Sequence, residues 1–390
     1  MKQQAPICVN WNYPTAIKVG AGRIAELPSH CHVLGMKNPL LITDPGLASL
    51  PMVQQAVASC QSVGLGCTVF SKIKGNPTEQ NVADGVSAYR AGKHDGVIAF
   101  GGGSALDAAK AVALMVGQSR PLWDFEDVGD NYLRVNVAGM APVVAVPTTA
   151  GTGSEVGRAS VITDDQAHVK RIIFHPDMLP AVVILDPELT AGLPPKLTAA
   201  TGMDALSHCL EAYCSPLYHP MAGGIALEGI GLVKEWLPRA VQDGRNLEAR
   251  LNMLVASSMG ATAFQRGLGA MHALAHPLGA LYDAHHGTLN AVLMPYVLQA
   301  NRVAVEQRIT RLARYLDLPQ PSFTVFLDWV LSLRETIAIP HTLAAIGIDD
   351  KQAELIGRMA VADASAATNP IPFSEKDYAG ILRNAVTGRL

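Results

Sequence analysis

The sequence predicts an α/β N-terminal domain with a parallel sheet, followed by an all-α C-terminal domain. Up to about residue 190, short and almost continuously apolar runs alternate with amphipathic stretches. From Pro195 onward there is no convincing strand, and long runs have helical periodicity. Apolar strands that alternate with helices are typical of a parallel sheet covered on both faces. A chain of 390 residues has room for two domains, which we place at residues 1–190 and 191–390.

Five runs in the first half have the form of buried strands, because each is short and apolar along most of its length. The predicted strands are Pro39–Thr43, Gly66–Phe70, Asp95–Phe100, Pro142–Pro147 and Ala181–Leu185. Between them, Asn81–Gly92 and Ala105–Val116 have helical spacing. In the second half the predicted helices are Ala222–Leu237, Leu247–Phe264, Val303–Leu316, Phe323–Glu335 and Asp350–Ala362.

The composition excludes several classes of function. Hydrophobic residues make up 49% of the chain and charged residues 16%, which favours large buried cores over disorder. The net charge is −3 without a basic block, so we expect no nucleic-acid partner and no membrane surface. The most apolar stretch contains Asp107 and Lys110, which argues against a membrane span. The N-terminal stretch lacks the apolar core of a signal peptide, and the six cysteines form no CxxC pair, so we expect a cytoplasmic protein.

Two loops that follow predicted strands are candidates for nucleotide binding. In the first, Gly101–Ser104 leads into a predicted helix, so backbone amides and a helix N-terminus can face a pyrophosphate. The second, Pro147–Glu155, is rich in Thr and Gly. Either loop alone could be an ordinary turn, but together they fit the crevice in which open α/β sheets bind ligands.

Asp44 follows the first predicted strand. A carboxylate at this position can accept hydrogen bonds from ribose hydroxyls and would repel a 2′-phosphate. The alternative is that Asp44-Pro45-Gly46 is simply a turn.

Histidines are concentrated between residues 267 and 290, where four of the chain's 12 lie. Upstream, Asp204 and His208 are four residues apart and share a helix face. One Asp and three His can build a site for a single divalent metal ion. Pro277 should disfavour a helical conformation at His276, so we expect His272 and His276 to point in different directions. His285 and His286 are adjacent, so we expect only one of the two to be a ligand.

These residues resemble the iron-containing (group III) alcohol dehydrogenases, within the dehydroquinate synthase-like superfamily. The similarity spans the whole chain. Its landmarks are Gly75–Thr78, Gly101–Ser104 with Asp107 and Lys110, Pro147–Glu155, Asp186–Leu189, Gly202–His208 and His272–Gly287. The resemblance implies a Rossmann-like domain for NAD(P), a helical domain for metal, and a substrate cleft between them.

The resemblance also implies the roles of individual residues. The metal ligands would be Asp204, His208, His272 and His286. His276 would lie near the nicotinamide and the metal as a catalytic residue without being a ligand. The predicted cofactor-binding residues are Asp44, Gly102, Gly103, Ser104, Asp107, Thr148, Thr149, Thr152 and Lys170.

The predicted function is therefore an NAD-dependent, divalent-metal-dependent alcohol dehydrogenase or aldehyde reductase. Fe(II) is the metal that the resemblance implies, although one carboxylate and three imidazoles also suit Zn(II) or another first-row ion. NADP is less expected than NAD, and a homodimer is expected from the family. Alternatives within the superfamily are a polyol or hydroxyacid dehydrogenase and a maleylacetate reductase. A metallohydrolase is the alternative from another class, but it would have no use for the two glycine-rich loops.

Overall fold

The computed structural model describes residues 13, 15–167 and 169–390. The N-terminal stretch used in the signal-peptide argument, with Cys8, lies outside the described residues. The strands are β1 Ala16–Val19, β2 Pro39–Ile42, β3 Thr68–Phe70, β4 Gly96–Gly101, β5 Val143–Pro147, β6 Ala159–Asp164, β7 Val169–Phe174 and β8 Val182–Leu185. The N-terminal helices are α1 Leu27–Val33, α2 Pro45–Ala48, α3 Pro51–Ser62, α4 Glu79–Ala91 and α5 Gly103–Met115.

The C-terminal half is helical, as predicted. Its helices are α6 Pro195–Cys214, α7 Pro220–Gln242, α8 Leu247–Ala263, α9 Ala270–Tyr282, α10 His286–Tyr315, α11 Phe323–Thr336, α12 Ala353–Ala362 and α13 Glu375–Thr387. Helix α6 is buried along most of its length and packs against α7, α8 and α10. None of the helices in the described ranges is both long and apolar enough to cross a membrane.

Six strands form one parallel sheet in the order β1-β8-β5-β4-β2-β3. All five predicted strands are in it, which confirms the α/β fold class. The chain leaves β2 toward β3 on one side, and β4 then pairs with β2 on the other side. The connections therefore diverge between β2 and β4, and this switch point opens a crevice at the carboxyl ends of the two strands.

Successive side chains of a strand point to opposite faces of the sheet, and each face packs against its own core. In β2, Leu40 and Ile42 pack in the core that contains α5, whereas Leu41 packs with Cys31 and Val53 of α1 and α3. Sequence analysis missed β1 and the antiparallel hairpin β6–β7. These three strands are only partly buried and so lack a continuous apolar run.

The prediction that Pro277 would disrupt the helix is wrong. Helix α9 continues through Pro277 to Tyr282. A proline inside a helix removes one hydrogen bond and costs about 3 kcal/mol, but here Leu274, Pro277 and Leu278 are all buried, and their packing offsets that cost. His272 and His276 consequently stay on one helix face, with ring centroids 5.9 Å apart.

Gly287 allows the first turn of α10 to approach α6 closely. A Cβ atom added at Gly287 would lie 2.4 Å from the carbonyl oxygen of Ala200 and 3.2 Å from Cβ of Asp204. Backbone cannot yield to such a contact as a flexible side chain can. Glycine is therefore required where these two helices cross.

We expect Gly287→Ala to lower the free energy of unfolding by about 1–3 kcal/mol, the usual effect of overpacking. The thermal midpoint measured by circular dichroism should fall accordingly. Gly224→Ala is the matched control, because a Cβ at this exposed position in α7 would meet nothing within 4 Å. That change should stabilise the helix slightly, by about 0.4–1 kcal/mol. Equal midpoints for the two variants would contradict the argument.

Candidate metal centre and cofactor site

Three of the predicted metal ligands form one buried cluster. Asp204 and His208 face the same side of α6, and His272 approaches from α9. One potential ligand atom from each residue lies within 4.8 Å of the others. His286, at the start of α10, places its Nε2 atom 3.6 Å from Oδ1 of Asp204. His286 lies outside the tight group of three but adjoins it, so the fold brings the four predicted ligands into one neighbourhood.

The imidazoles of this cluster are too close together to carry several charges at once. The rings of His208 and His272 stack with centroids 4.7 Å apart, and the ring of His286 is 5.2 Å from that of His272. Burial lowers the pKa of His208 to about 4. Burial, and next to it the neighbouring imidazoles, holds the pKa of His286 well below its ordinary value. The lowered pKa values favour the neutral form of His208 and His286, which is the form of imidazole that binds a divalent transition metal, so these two side chains fit such an ion.

Hydrogen bonds on the outer side of the cluster orient two of the rings. Nδ1 of His208 lies 3.3 Å from the carbonyl oxygen of Gly151, and Nδ1 of His272 lies 2.6 Å from Oε2 of Glu211. In the tautomer in which Nδ1–H donates to these oxygens, the Nε2 lone pair of each ring faces the cluster. Burial alone would lower the pKa of His272, but the Glu211 carboxylate raises it above its ordinary value. A metal-ligating imidazole held by a carboxylate is the usual second layer of such sites.

Sequence analysis missed Glu211 and Asn290. Nδ2 of Asn290 lies 2.8 Å from Oδ1 of Asp204, and 3.1 and 3.2 Å from Nε2 of His272 and His286. A carboxylate oxygen has further lone pairs, so Asp204 can keep this hydrogen bond and still act as a ligand. An imidazole Nε2 has a single lone pair, so a metal ion would take the place of the Asn290 amide at His272 and His286. Helical spacing could have indicated both residues. Glu211 lies seven residues after Asp204, and Asn290 lies four residues after His286, so each shares a helix face with a predicted ligand.

His276 is oriented by a different carboxylate. Its Nδ1 lies 2.7 Å from Oδ2 of Asp363, and its ring stacks on His286 at 5.5 Å between centroids. Burial raises the pKa of Asp363, but His276 and hydrogen bonds from Ser365 outweigh it and lower that pKa to about 2. Asp363 is therefore ionised and accepts the Nδ1–H, which leaves Nε2 of His276 available as a proton acceptor. His276 does not belong to the tight group of Asp204, His208 and His272.

The structure separates His285 from His286. Nδ1 of His285 accepts a hydrogen bond from the backbone N–H of Thr288 at 3.4 Å, so His285 caps the N-terminus of α10. His286, one residue later, turns toward Asp204.

The two predicted nucleotide loops lie side by side. Thr148 N–H donates to the carbonyl oxygen of Gly101 at 2.9 Å. A Cβ added at Gly102 would lie 3.4 Å from Oγ1 of Thr149, and one added at Gly103 would lie 2.7 Å from Oγ1 of Thr152. No side chain caps α5, whose N-terminal amides therefore remain directed at this edge of the sheet.

Asp44 lies across the switch point from these loops. Its Oδ1 accepts the N–H of Leu47 at 3.1 Å and caps α2, as the turn interpretation anticipated. Its Oδ2 faces Gly101, where an added Cβ would lie 3.6 Å away. The turn and a free carboxylate oxygen therefore coexist at this position.

Asp107 and Lys170 occupy different surroundings. The carboxylate of Asp107 accepts hydrogen bonds from Ser154 Oγ and from Val161 N–H, and it lies 3.4 Å from Lys110 Nζ. It therefore connects α5 to the second loop and to β6. Lys170, in β7, packs against Gly279 of α9. Burial lowers the pKa of Lys170, while four carboxylates, including Asp107 and Asp204, act in the opposite sense.

Comparison with known proteins agrees with this geometry. The model of the family "Iron-containing alcohol dehydrogenase" matches residues 14–187, and that of "Fe-containing alcohol dehydrogenase family, C-terminal" matches residues 198–386. The chain belongs to the iron-containing alcohol dehydrogenases. The resemblance seen in the sequence is thus confirmed, and this iron-type alcohol dehydrogenase is an oxidoreductase.

Relatives of this iron-containing alcohol dehydrogenase are similar along nearly the whole chain. The 4-hydroxybutyrate dehydrogenase of Cupriavidus necator is 38% identical over 384 residues, covering 96% of this chain and 99% of the relative. The NAD-dependent methanol dehydrogenase of Bacillus methanolicus is 33% identical, covering 97% and 100%. A solved 1,3-propanediol oxidoreductase superposes with a TM-score of 0.92 at 34% identity, covering 97% and 100% of the two chains.

We expect Glu211→Gln to weaken metal binding by about 10–100-fold, because the variant removes the charge that holds the Nδ1–H of His272. Affinity for Zn(II) should be measured by competition with a chromophoric chelator on metal-stripped protein. Glu235→Gln, at an exposed position in α7, is the control and should bind Zn(II) normally. Unchanged affinity in a folded Glu211→Gln protein would show that this hydrogen bond does not support the site.

Proposed function

We propose that the protein is an NAD-dependent, divalent-metal-dependent alcohol dehydrogenase or aldehyde reductase, which transfers a hydride between a small alcohol and the nicotinamide. One observation carries the proposal. His208, a predicted metal ligand, is hydrogen-bonded to Gly151 in the second nucleotide loop. A metal at the cluster and a nicotinamide at the loops would therefore share one cleft, as hydride transfer at a metal-activated carbinol requires.

The donor set supports a single first-row divalent ion, for which Asp204, His208, His272 and His286 would be the ligands. Fe(II) is the ion that the family name supports, and Zn(II) would suit the same donors. When bound, such an ion supplies Lewis-acid polarisation of the alcohol or carbonyl oxygen. His276, with its Nδ1–H held by Asp363, would exchange the alcohol proton through Nε2.

NAD is proposed in preference to NADP. Asp44 Oδ2 faces the crevice between β2 and β4, where a carboxylate favours ribose hydroxyls and repels a 2′-phosphate. The name of the methanol dehydrogenase from Bacillus methanolicus, NAD-dependent, supports the same choice.

The proposed substrates are short, unbranched primary alcohols and the corresponding aldehydes. The relatives described above are named for methanol, 1,3-propanediol and 4-hydroxybutyrate. In this chain the ring of Phe264 lies 5.2 Å from that of His208, so an apolar side chain would stand beside the proposed substrate position. A diol or hydroxyacid dehydrogenase is the alternative that these names favour, whereas no observation supports a metallohydrolase. A cytoplasmic homodimer acting on a small molecule, without nucleic-acid or membrane partners, completes the proposal.

The test is NADH formation by metal-stripped protein that has been reloaded anaerobically with Fe(II) or Zn(II). Methanol, ethanol, 1,3-propanediol and 4-hydroxybutyrate should be compared, each with NAD and with NADP. We expect activity only after reloading, with at least one of these alcohols, and a higher kcat/KM with NAD. Absence of NADH formation by metal-replete protein with all four alcohols, and of the reverse reaction with their aldehydes, would overturn the proposal.

His276→Ala should retain bound metal and lose about 10²–10⁴-fold in turnover, the typical contribution of a general acid–base group. The metal content should be measured by elemental analysis beside the rate. Loss of metal would identify His276 as a ligand, and near-normal turnover would reduce it to a packing residue. His32→Ala is a suitable control, because His32 is an exposed histidine of α1, outside the helices that carry the cluster.

A further inference from the structure

A hydrogen bond joins the two domains at an exposed position. Nδ2 of Asn76 donates to Oδ1 of Asp283 at 2.6 Å, although the two residues are 207 positions apart. Asn76 lies in the loop between β3 and α4, and Asp283 directly follows α9. The two loops that meet here belong to opposite sides of the cleft.

Each end of this bond leads to one of the two sites. On the N-terminal side, Ser104 Oγ, in the first turn of α5, donates to the carbonyl oxygen of Gly75. On the C-terminal side, Asp283 is three residues before His286. Ser104, Gly75, Asn76 and Asp283 thus form a continuous connection from the predicted phosphate loop to the predicted metal loop.

The backbone of Asp283 has an unusual conformation. Asp283 has φ +49°, a left-handed conformation that non-glycine residues rarely adopt and that Asp tolerates better than most. This conformation turns the chain sharply between α9, which carries His272, and α10, which begins at His286. A partner that fixes Asp283 therefore also fixes where α10 begins.

The domain interface behind the cleft is of a different kind. Ser258 Oγ donates to Oε1 of Glu155 at 2.7 Å, and both residues are buried. A Cβ added at Gly153 would lie 2.6 Å from the carbonyl oxygen of Ser257, so the backbones are in close contact there. The Asn76–Asp283 contact is exposed, whereas this one is buried.

We propose that Asn76 and Asp283 are positioning residues that couple nucleotide binding to metal binding across the cleft. The inference rests on the proposed function, because it takes the Gly101–Ser104 loop as a phosphate site. A nucleotide that orders this loop also orders Gly75 and Asn76, and through Asp283 it orders the segment that carries His286. The metal ligands then lose part of their conformational entropy before the ion binds, so the ion binds more tightly when the nucleotide is already bound. This is positive cooperativity.

The coupling should be measurable from either side, because linkage is reciprocal. The probes are NADH, followed by its fluorescence, and Zn(II), followed by competition with a chelator, on metal-stripped protein. We expect Zn(II) to tighten NADH binding by about fivefold and NADH to tighten Zn(II) binding by the same factor, the lower end of typical coupling between sites.

Four variants isolate the hydrogen bond. Asn76→Ala removes the donor, and Asp283→Gly removes the acceptor without strain at a positive φ. Each should reduce the coupling to nearly none, and the double variant should add nothing further. Asp283→Asn loses the charge but keeps an acceptor oxygen and tolerates the same φ, so it should retain the coupling. If Asp283→Asn also loses the coupling, the coupling depends on the charge of Asp283, and the proposed role of the hydrogen bond is wrong.

Asp84→Ala is the matched control. It breaks a bond of the same type, from Gln80 Nε2 to Asp84 Oδ1 at 2.7 Å, which is exposed and lies within α4 alone. The coupling should be unchanged in this variant. If NADH and Zn(II) bind to the unmodified protein independently, or if Asn76→Ala and Asp283→Gly leave the coupling intact, the inference is wrong.

Two further outcomes separate the possible errors. Weaker NADH binding in Asn76→Ala with and without Zn(II), but normal coupling in Asp283→Gly, would show that Asn76 only contacts the nucleotide. Failure of NADH to bind to the unmodified protein at all would overturn the proposed function, and this inference with it.

Discussion

Helix α6 carries polar groups into the centre of the helical domain, and much of the surrounding structure follows from the need to pair them. Asp204, His208 and Glu211 are spaced to lie along one face of the helix, and all three are buried. Burying a carboxylate or an imidazole without a partner costs several kcal/mol. Helix α9 therefore presents His272 to Glu211, and α10 presents Asn290 to Asp204. The same pairs orient the side chains of the cluster, in which one potential ligand atom each of Asp204, His208 and His272 lies within 4.8 Å of the others.

Close helix packing makes this pairing geometrically possible. Gly260 of α8 lies where an added Cβ would be 3.0 Å from Cβ of His208, and Gly287 allows α10 to contact α6 in the same way. Gly151 meets the backbone of Thr201, which brings the second nucleotide loop against α6. Small residues at these crossings let hydrogen bonds of normal length form between side chains of different helices. The site therefore depends on glycines that carry no chemistry themselves.

The sheet places the nucleotide loops beside this cluster. Asp44 follows β2 and the first glycine loop follows β4, so both lie at the switch point, where the connections diverge. The second loop follows β5 and continues to Gly151, whose carbonyl oxygen accepts the hydrogen bond from His208. The fold thus joins a crevice suited to phosphate and ribose to a cluster suited to a divalent ion. Only a few residues lie between the predicted nucleotide site and the predicted metal site.

The sequence by itself determined the fold class, the family and the five apolar strands of the sheet. Runs such as Pro39–Thr43 could be recognised because a strand buried on both faces must be apolar at every position. The four predicted ligands and His276 could be named because their pattern of Asp and His resembles that of the family. Both kinds of pattern involve residues that are close together in the sequence, so they can be recognised without the folded structure.

The tertiary structure alone decided which groups support these residues. Asp363 holds His276 from 87 positions away, and Asp283 meets Asn76 from 207 positions away, so no spacing could reveal either pair. The continuous helix through Pro277 was equally hidden, because burial of its neighbours overrides the local cost of proline. Hydrogen-bond partners are chosen by packing among distant segments. That choice becomes visible only when the chain is folded.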